Sequence, residues 1–191
     1  EVYLSSDKVY IFLDEIASSR KNLSTINPMG EAEAKPIARQ VGDAVNFLHL
    51  KGIAHLSVKP ENILIDQDSS QVKLADSKLY FIYWDVINKM PIEIRTALIK
   101  GDYDSKTFPY LPPEVFKNET WDGSKVDIWS WGVIICYLTT KQSPFKGTGS
   151  DQVNRLKDEF YTNHQLSDEL KEVLNHCFMK DVRQRMPYAK I

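Results

Sequence analysis

The chain has 191 residues, of which 42% are hydrophobic and 26% are charged, and its formal net charge is −2. This length suits one ordinary domain or one lobe of a larger domain, and the composition excludes an intrinsically disordered chain. The balanced charge argues against a general nucleic-acid-binding protein, which would be basic. We therefore expect no nucleic acid as a partner. No apolar run reaches the roughly 18 residues that a membrane span requires, and we expect no membrane as a partner.

The two cysteines, Cys136 and Cys177, each stand in an apolar pattern with the spacing of a helix. We therefore expect two buried free thiols, and neither a disulfide framework nor a zinc site. The sequence begins at Glu1 rather than Met, which is typical of a piece of a longer chain. It carries no recognisable signal peptide, and the expected location is cytoplasmic or otherwise intracellular.

The amino-terminal part of the chain predicts a hairpin and then a long helix. Residues 2–4 and 9–13 are β-branched and aromatic, with a polar turn between them, and taken alone they favour a surface hairpin. Residues 18–29 are a polar linker. From Glu31 onward the apolar residues recur at three- and four-residue steps, which predicts a helix that ends at Gly52.

The stretch from His55 carries the chemistry. It reads H-L-S-V-K-P-E-N-I-L-I, and it is followed by a polar run and the short apolar run 72–74, a pattern that predicts two strands joined by a hairpin turn. Such a hairpin returns the end of its second strand towards the loop before the first. Asn62 and Asp76 would then face one small volume, where their oxygens are hard ligands that suit Mg²⁺.

The segment from residue 77 to residue 114 is longer than a typical connection. It begins with the aromatic patch 80–84, which either packs back onto the domain or forms an exposed surface for a partner. Residues 92–100 predict a short helix. Two further helices are predicted over residues 124–140 and 166–180, from apolar stripes of helical period.

These motifs together resemble the eukaryotic protein kinases. The loop at His55 resembles their catalytic loop H-R-D-L-K-P-E-N, and Asp76 stands where their D-F-G turn begins. Residues 107–114 resemble the stretch that ends in A-P-E, and residues 127–132 match D-x-W-S-x-G. The K-P-E-N letters are typical of the Ser/Thr branch, with a CAMK-like carboxy-terminal lobe.

The resemblance covers nearly the whole chain and implies a protein-kinase-like fold, mainly α with a small β component (α+β). Residues 1–16 would be the last strands of the small lobe and the hinge, and residues 17–191 would be the helical lobe. ATP and Mg²⁺ are the implied cofactors. Leu13, Glu15 and Leu64 would lie on the adenine side, with Leu13 at the gatekeeper position.

The resemblance also assigns roles to single residues near the phosphates. Lys59 would contact the transferred phosphate, and Asn62 and Asp76 would hold Mg²⁺, or else are inherited polar residues that hydrogen-bond the loop. His55 would pack as a structural residue, and Asp127 would accept hydrogen bonds from the backbone of the catalytic loop.

The same resemblance pairs Glu114 with Arg185. A buried bidentate pair of this kind would fasten the long segment to the last helices, and both partners are present.

Several residues depart from the family pattern. Ser57 replaces the catalytic Asp and cannot accept a substrate proton at neutral pH. Leu56 replaces the Arg that would clamp a phosphorylated segment, which argues against regulation by that route. Ser77 and Lys78 replace the Phe and Gly after Asp76, and the Lys78 cation would either compete for the Asp76 carboxylate or mimic a metal.

These departures favour a pseudokinase, a non-catalytic kinase-like domain that serves as a protein-interaction or allosteric module in signalling. One alternative is a working Ser/Thr kinase whose small lobe lies upstream of Glu1. A second is a self-sufficient, non-catalytic scaffold made of this lobe alone. A protein partner is expected in each non-catalytic case, and the sequence leaves the oligomeric state open.

Overall fold

The computed structural model describes residues 2–4, 9–11, 20–66, 68–75, 81–82, 84–85, 90–92, 94–95, 106–117, 120–145 and 153–190. Within those ranges there are four α-helices: α1 (Glu31–Leu50), α2 (Gly123–Thr140), α3 (Val153–His164) and α4 (Asp168–Cys177). The strands are short, so the architecture is mainly α with a small β component, as expected. No helix in the described part is long and apolar enough to cross a membrane.

Eleven short strands accompany the helices in the described ranges. They are β1 (Val2–Leu4), β2 (Val9–Ile11), β3 (Arg20–Asn22), β4 (Ile53–Ala54), β5 (Ile63–Asp66), β6 (Val72–Leu74), β7 (Phe81–Ile82), β8 (Trp84–Asp85), β9 (Met90–Pro91), β10 (Ile94–Arg95) and β11 (Thr120–Trp121). The predicted amino-terminal hairpin is present as the antiparallel pair β1 and β2. Residues 12–13 lie outside the described part.

The predicted hairpin after the catalytic loop is also present. β5 and β6 pair antiparallel with Ile63 opposite Leu74, and Asp66 Oδ1 accepts from the backbone N–H of Ser69 at 3.0 Å in the turn between them. β3 adds a third antiparallel strand on the other side of β5. The interpretation of residues 18–29 as a linker is therefore wrong for Arg20–Asn22, because the free edge of β5 takes up their backbone groups.

The long segment after β6 forms three further two-stranded antiparallel pairs: β4 with β7, β8 with β9, and β10 with β11. The short helix predicted over residues 92–100 is wrong at Ile94–Arg95, because their backbone pairs with Thr120–Trp121. This is a long-range interaction that overrides a local helical pattern. Residues 93 and 96–100 lie outside the described part, as do the side chains of the patch 80–84.

Helix α1 buries one face and exposes the other. Its buried residues include Ala34, Ala38, Val41 and Val45, at helical spacing. Pro36 stands in the second turn, where it removes one helical hydrogen bond, and the helix continues through it. After the helix, Gly52 adopts a positive φ of 74°, a conformation that glycine reaches at little cost.

Helix α2 is the centre of the structure, since thirteen of its 18 residues are buried. Asp122 caps its first turn by accepting from the backbone N–H of Ser124 at 2.8 Å. The Trp129 ring packs against Phe145 and Phe178, with ring centroids 4.6 Å and 5.1 Å away. Cys136 and Cys177 are buried free thiols, as expected, and burial raises the pKa of both.

A second, smaller group of buried apolar side chains lies apart from this main core. It consists of Ala54, Leu56, Leu111, Val115, Trp121 and Val126, and it is called the small apolar cluster below. Its members come from β4, the catalytic loop, the 106–117 segment, β11 and the first turn of α2. The catalytic loop therefore runs between two packed regions.

Candidate active site

The catalytic loop, residues 55–62, runs from β4 to β5 and is anchored by the side chain of Asp127. Asp127 is fully buried in α2. Its two carboxylate oxygens accept from the backbone N–H groups of His55 and Leu56, each at 2.7 Å. His49, near the end of α1, places Nε2 2.9 Å from Oδ2 of the same carboxylate. One acidic side chain thus joins two helices and the loop. The D-x-W-S-x-G resemblance implied the contact with the loop backbone, but not the contact with His49.

His55 is buried inside the loop. Its exposed fraction is 0%, and its Nδ1 accepts from the backbone N–H of Ser57 at 3.3 Å. A ring in this position stabilises the turn of the loop and does not reach solvent. The structural role of His55 stays a prediction, which this burial supports.

Ser57 occupies the position where the family has its catalytic Asp. It is 7% exposed, and the side-chain amide of Asn62 donates to its carbonyl oxygen at 2.8 Å and to its hydroxyl oxygen at 3.0 Å. A serine hydroxyl has no basic form at neutral pH. The described geometry therefore holds a neutral group where proton transfer would need a carboxylate.

The orientation of Asn62 suits a metal ligand. Because the amide nitrogen is turned towards Ser57, the amide oxygen lies on the opposite side of the group, and an amide oxygen is a hard donor that Mg²⁺ accepts. The second predicted ligand, Asp76, lies outside the described residues, as do Ser77 and Lys78. Among the residues that are described, no cluster of three or more His, Cys, Asp or Glu side chains could hold a metal.

Lys59 connects the loop to the 106–117 segment. Its ammonium group donates to the hydroxyl of Thr107 at 2.9 Å, and the exposed fractions are 8% for Lys59 and 3% for Thr107. The sequence singled out Lys59 but not this partner, since the two residues are 48 positions apart. The only available signal was the position of Thr107 at the start of the motif that ends in Glu114.

Glu114 and Arg185 form the expected bidentate pair. The guanidinium donates to the two carboxylate oxygens at 2.6 Å and 3.3 Å, and Arg185 is fully buried. Arg185 also donates to the carbonyl oxygens of Met179 and Lys125 at 2.9 Å, and its guanidinium lies 5.0 Å from the centroid of the Trp129 ring. The pair fastens the 106–117 segment to the end of the chain.

Only one of the three residues predicted to lie on the adenine side, Leu64, is among the described residues. Leu64 lies in β5 opposite Asn22 on one side and Lys73 on the other, and it is half-buried. Leu13 and Glu15 lie outside the described residues. Of the predicted site residues, the structure brings Asp127 to the loop that holds His55, Ser57, Lys59 and Asn62, and it pairs Glu114 with Arg185.

Glu61 is a residue whose environment the sequence did not reveal. Its Oε2 atom is buried, and no hydrogen-bond partner for it exists among the described residues. Burial and then the Glu61 charge raise the pKa of Tyr110 and of Tyr137, which both lie nearby. The Glu61 carboxylate therefore lies close to Tyr110 and Tyr137, with one oxygen that has no described hydrogen-bond partner.

The whole chain is similar to known protein kinase domains. A family model described as "Protein kinase domain" matches residues 1–191. The chain is 26% identical over 195 residues to sperm motility kinase 2B of Mus musculus, covering 100% of this chain and 38% of that protein. It is 29% identical over 191 residues to the serine/threonine-protein kinase pak-2 of Caenorhabditis elegans, covering 97% and 34%. It is 28% identical over 189 residues to the Aurora kinase of Dictyostelium discoideum, covering 96% and 45%.

The chain thus spans 34–45% of the length of these three relatives.

Proposed function

The chain belongs to the protein kinase domain family, in its Ser/Thr branch, and from this premise we propose that it is a pseudokinase. In this proposal the domain is catalytically impaired and acts as a protein-interaction or allosteric module. Residues 1–16 are the last small-lobe strands and hinge, and residues 17–191 are the helical lobe. The observation that carries the proposal is Ser57, a neutral hydroxyl in the position of the catalytic base.

Two described carboxylates that contact the loop or the 106–117 segment support this reading, because both are already engaged. A third, Glu61, has an oxygen without a described partner and lies near Tyr110 and Tyr137. Asp127 is engaged by the backbone of the loop, and the Glu114 carboxylate is paired with Arg185. The Lys59 ammonium donates to Thr107. Protein kinases use ATP and Mg²⁺ and depend on positioning and charge neutralisation. The loss of a positioned general base by itself lowers the rate of phosphate transfer by a factor of about 10²–10⁴.

The retained features support a folded platform for a protein partner. The loop keeps its Asp127 anchor, and the 106–117 segment keeps its ion pair to Arg185. On that segment Phe108 and Phe116 are 36% and 37% exposed, with ring centroids 5.9 Å apart. A pair of partly exposed aromatic rings beside an ordered loop is a surface that suits an apolar side chain of another protein.

The test is phosphate transfer by the native full-length protein, measured with γ-labelled ATP, Mg²⁺ and a general acceptor protein. We expect phosphate transfer at background level for the native protein and for the control variant Ser57→Asn, whose side chain has the size of Asp but no carboxylate. Ser57→Asp restores the family residue and should raise transfer by up to about 10²–10⁴. Robust transfer by the native protein that Asp76→Ala abolishes would contradict the proposal.

A working Ser/Thr kinase is the alternative that specific observations favour. The Asn62 amide oxygen is turned away from Ser57, and Lys59 is present and ordered beside Thr107. In that case Asn62 and Asp76 would hold Mg²⁺, which would supply charge neutralisation at the phosphates. Mg²⁺-dependent ATP turnover by the native protein separates this alternative from a pseudokinase.

The scaffold alternative makes a different demand. It requires that residues 1–191 fold by themselves and bind a partner peptide equally well with and without nucleotide. A peptide affinity that changes on addition of ATP and Mg²⁺ would favour the allosteric module instead.

A further inference from the structure

Two buried thiols lie where helices α2 and α4 pack against each other. Cys136 is in α2, Cys177 is the last residue of α4, and both are free and 0% exposed. A Cβ atom added at Gly132 would lie 2.6 Å from Cys177 Cβ, so the end of α4 rests on α2 at this point. Gly132 precedes Cys136 by about one helical turn, and side chains at this spacing share one face of a helix. Cys177 therefore lies within about one helical turn of Cys136.

The direction of the Cys136 side chain brings the two thiols closer still. Side chains in an α-helix lean towards its amino terminus, which for Cys136 is the direction of Gly132 and Cys177. The electrostatics agree, because burial and then the charge of Cys177 raise the pKa of Cys136. Burial and then both thiol groups also raise the pKa of Tyr161 in α3. The two thiols and the phenol therefore share one buried site.

Neither thiol is reactive while the two helices are packed. The thiolate is the nucleophile in thiol chemistry, and burial raises the pKa of both cysteines. An oxidant also has no access to a side chain that is 0% exposed. Access arises when the last turn of α4 opens, since helix ends open at a lower free energy than the centre of a core. Reaction of this pair is therefore limited by the opening of α4.

We propose that Cys136 and Cys177 form a reversible disulfide that ties the end of α4 to α2 when a peroxide reaches them. One thiolate attacks a peroxide oxygen, which gives a sulfenic acid and hydroxide. The other thiolate attacks that sulfur, which forms the S–S bond and releases a second hydroxide. With the two thiol protons, the hydroxides leave as two waters, so two thiols are oxidised and one hydrogen peroxide is reduced.

The disulfide would restrain the part of the chain that carries Arg185. Phe178 directly follows Cys177, and its ring centroid lies 5.1 Å from that of Trp129. The Arg185 guanidinium lies 5.0 Å from the centroid of the same Trp129 ring. A bond at Cys177 therefore holds the surroundings of the ion pair to Glu114. The inference goes beyond the proposed function, and it holds whether or not the chain transfers phosphate.

The test is oxidation of the native full-length protein by hydrogen peroxide, followed by tryptic digestion without reduction and mass spectrometry. Trypsin releases Cys136 in residues 126–141 and Cys177 in residues 172–180, so the disulfide appears as one linked pair of peptides. This pair should be the main oxidation product. It should form faster in urea below the unfolding midpoint than without urea, because both thiols are buried. Sulfinic acids, or links between two molecules, in place of the linked pair would overturn the proposal.

A matched control moves one thiol to the other side of the same helix. Ile134→Cys combined with Cys136→Ser does this, since two residues correspond to about 200° around an α-helix, and Ile134 is likewise 0% exposed. The control should give at least about tenfold less of the product linked to Cys177. Equal yields would show that the fold does not bring Cys136 and Cys177 together, which would overturn the proposal.

A second measurement asks whether the disulfide fits the folded protein. After removal of urea and peroxide, the linked protein should unfold at a higher urea concentration than the reduced protein, because the bond restricts the unfolded chain. Reduction with a dithiol should restore the original midpoint. Cys136→Ser and Cys177→Ser should keep their midpoints after peroxide treatment. A linked protein that unfolds at no higher urea concentration than the reduced protein would show that the bond strains the fold, and the proposal would be overturned.

Discussion

In the described part of the chain, the fully buried cation of Arg185 is paired with one carboxylate. Glu114 supplies that carboxylate and is itself only 8% exposed, so neither group can turn to bulk water if its partner is removed. The carbonyl oxygens of Met179 and Lys125 hold the guanidinium in place beside Trp129. At this site two residues that are 71 positions apart form one of the contacts that attach the 106–117 segment.

We expect Arg185→Met to lower the free energy of unfolding by about 3–5 kcal/mol, because it leaves the Glu114 carboxylate buried without a partner. The matched control is the double variant Glu114→Gln and Arg185→Met, in which both charges are absent. Its free energy of unfolding should fall by a clearly smaller amount than that of the single variant. Urea unfolding monitored by circular dichroism measures both. A single variant that is no less stable than the double variant would show that the carboxylate finds another partner.

Single-residue roles could be predicted where a motif fixes both the residue type and its spacing. Asp127, Glu114 and Arg185 were assigned in this way, and their contacts are those that the resemblance implied. The partner of Lys59 and the buried oxygen of Glu61 could not be predicted, because each depends on side chains that the fold brings together from distant positions. Asp76 stays a prediction, since it lies outside the described residues.

Helices α2 and α4 approach each other closely at Gly132. A Cβ atom added there would lie 2.6 Å from Cys177 Cβ and 2.8 Å from Phe178 Cε1. Neither neighbour has room to move, because Cys177 and Phe178 are 0% and 2% exposed. The packing of these two helices therefore requires a residue without a side chain at this position.

Gly132→Ala should destabilise the protein by about 1–3 kcal/mol, since the two helices must separate to admit one methyl group. Gly30→Ala is the matched control: a Cβ there meets nothing within 4 Å, and its φ of −64° suits alanine. The control should cost less than about 1 kcal/mol, which reflects a weaker cap at the start of α1. Thermal unfolding of the two variants side by side provides the measurement, and equal losses would refute the close-packing explanation.

Among the elements, periodicity predicted the helices that became α1, α2 and α4, with ends that differ by a few residues. Helix α3 was not predicted, although Val153, Leu156 and Phe160 have helical spacing and carried the signal. The pairing of β3 with β5 and of β10 with β11 could not be predicted from local pattern. Both pairs form because a distant strand offers an unsatisfied backbone edge, which no window of neighbouring residues contains.

At the scale of the whole molecule, the main core and the small apolar cluster share helix α2. Val126 contributes to the small apolar cluster, and Trp129, less than one turn later, contributes to the main core. Both side chains are almost fully buried, at 0% and 1% exposed. The order of the kinase motifs along the sequence predicted the overall architecture, but it did not predict that one rigid helix joins two separate packed regions.

This connection predicts that the main core and the small apolar cluster unfold together. Trp121 reports on the small apolar cluster and Trp129 on the main core. With 5-fluorotryptophan incorporated, the four tryptophans each give a ¹⁹F signal. Single Trp→Phe variants assign the Trp121 and Trp129 signals, and unfolding is then followed in the native sequence. We expect both native signals to disappear over the same range of urea concentration, because loss of either packed region exposes a face of α2 and removes support from the other. Loss of the Trp121 signal at a clearly lower urea concentration would show that the small apolar cluster is an independent unit, and that α2 does not couple it to the main core.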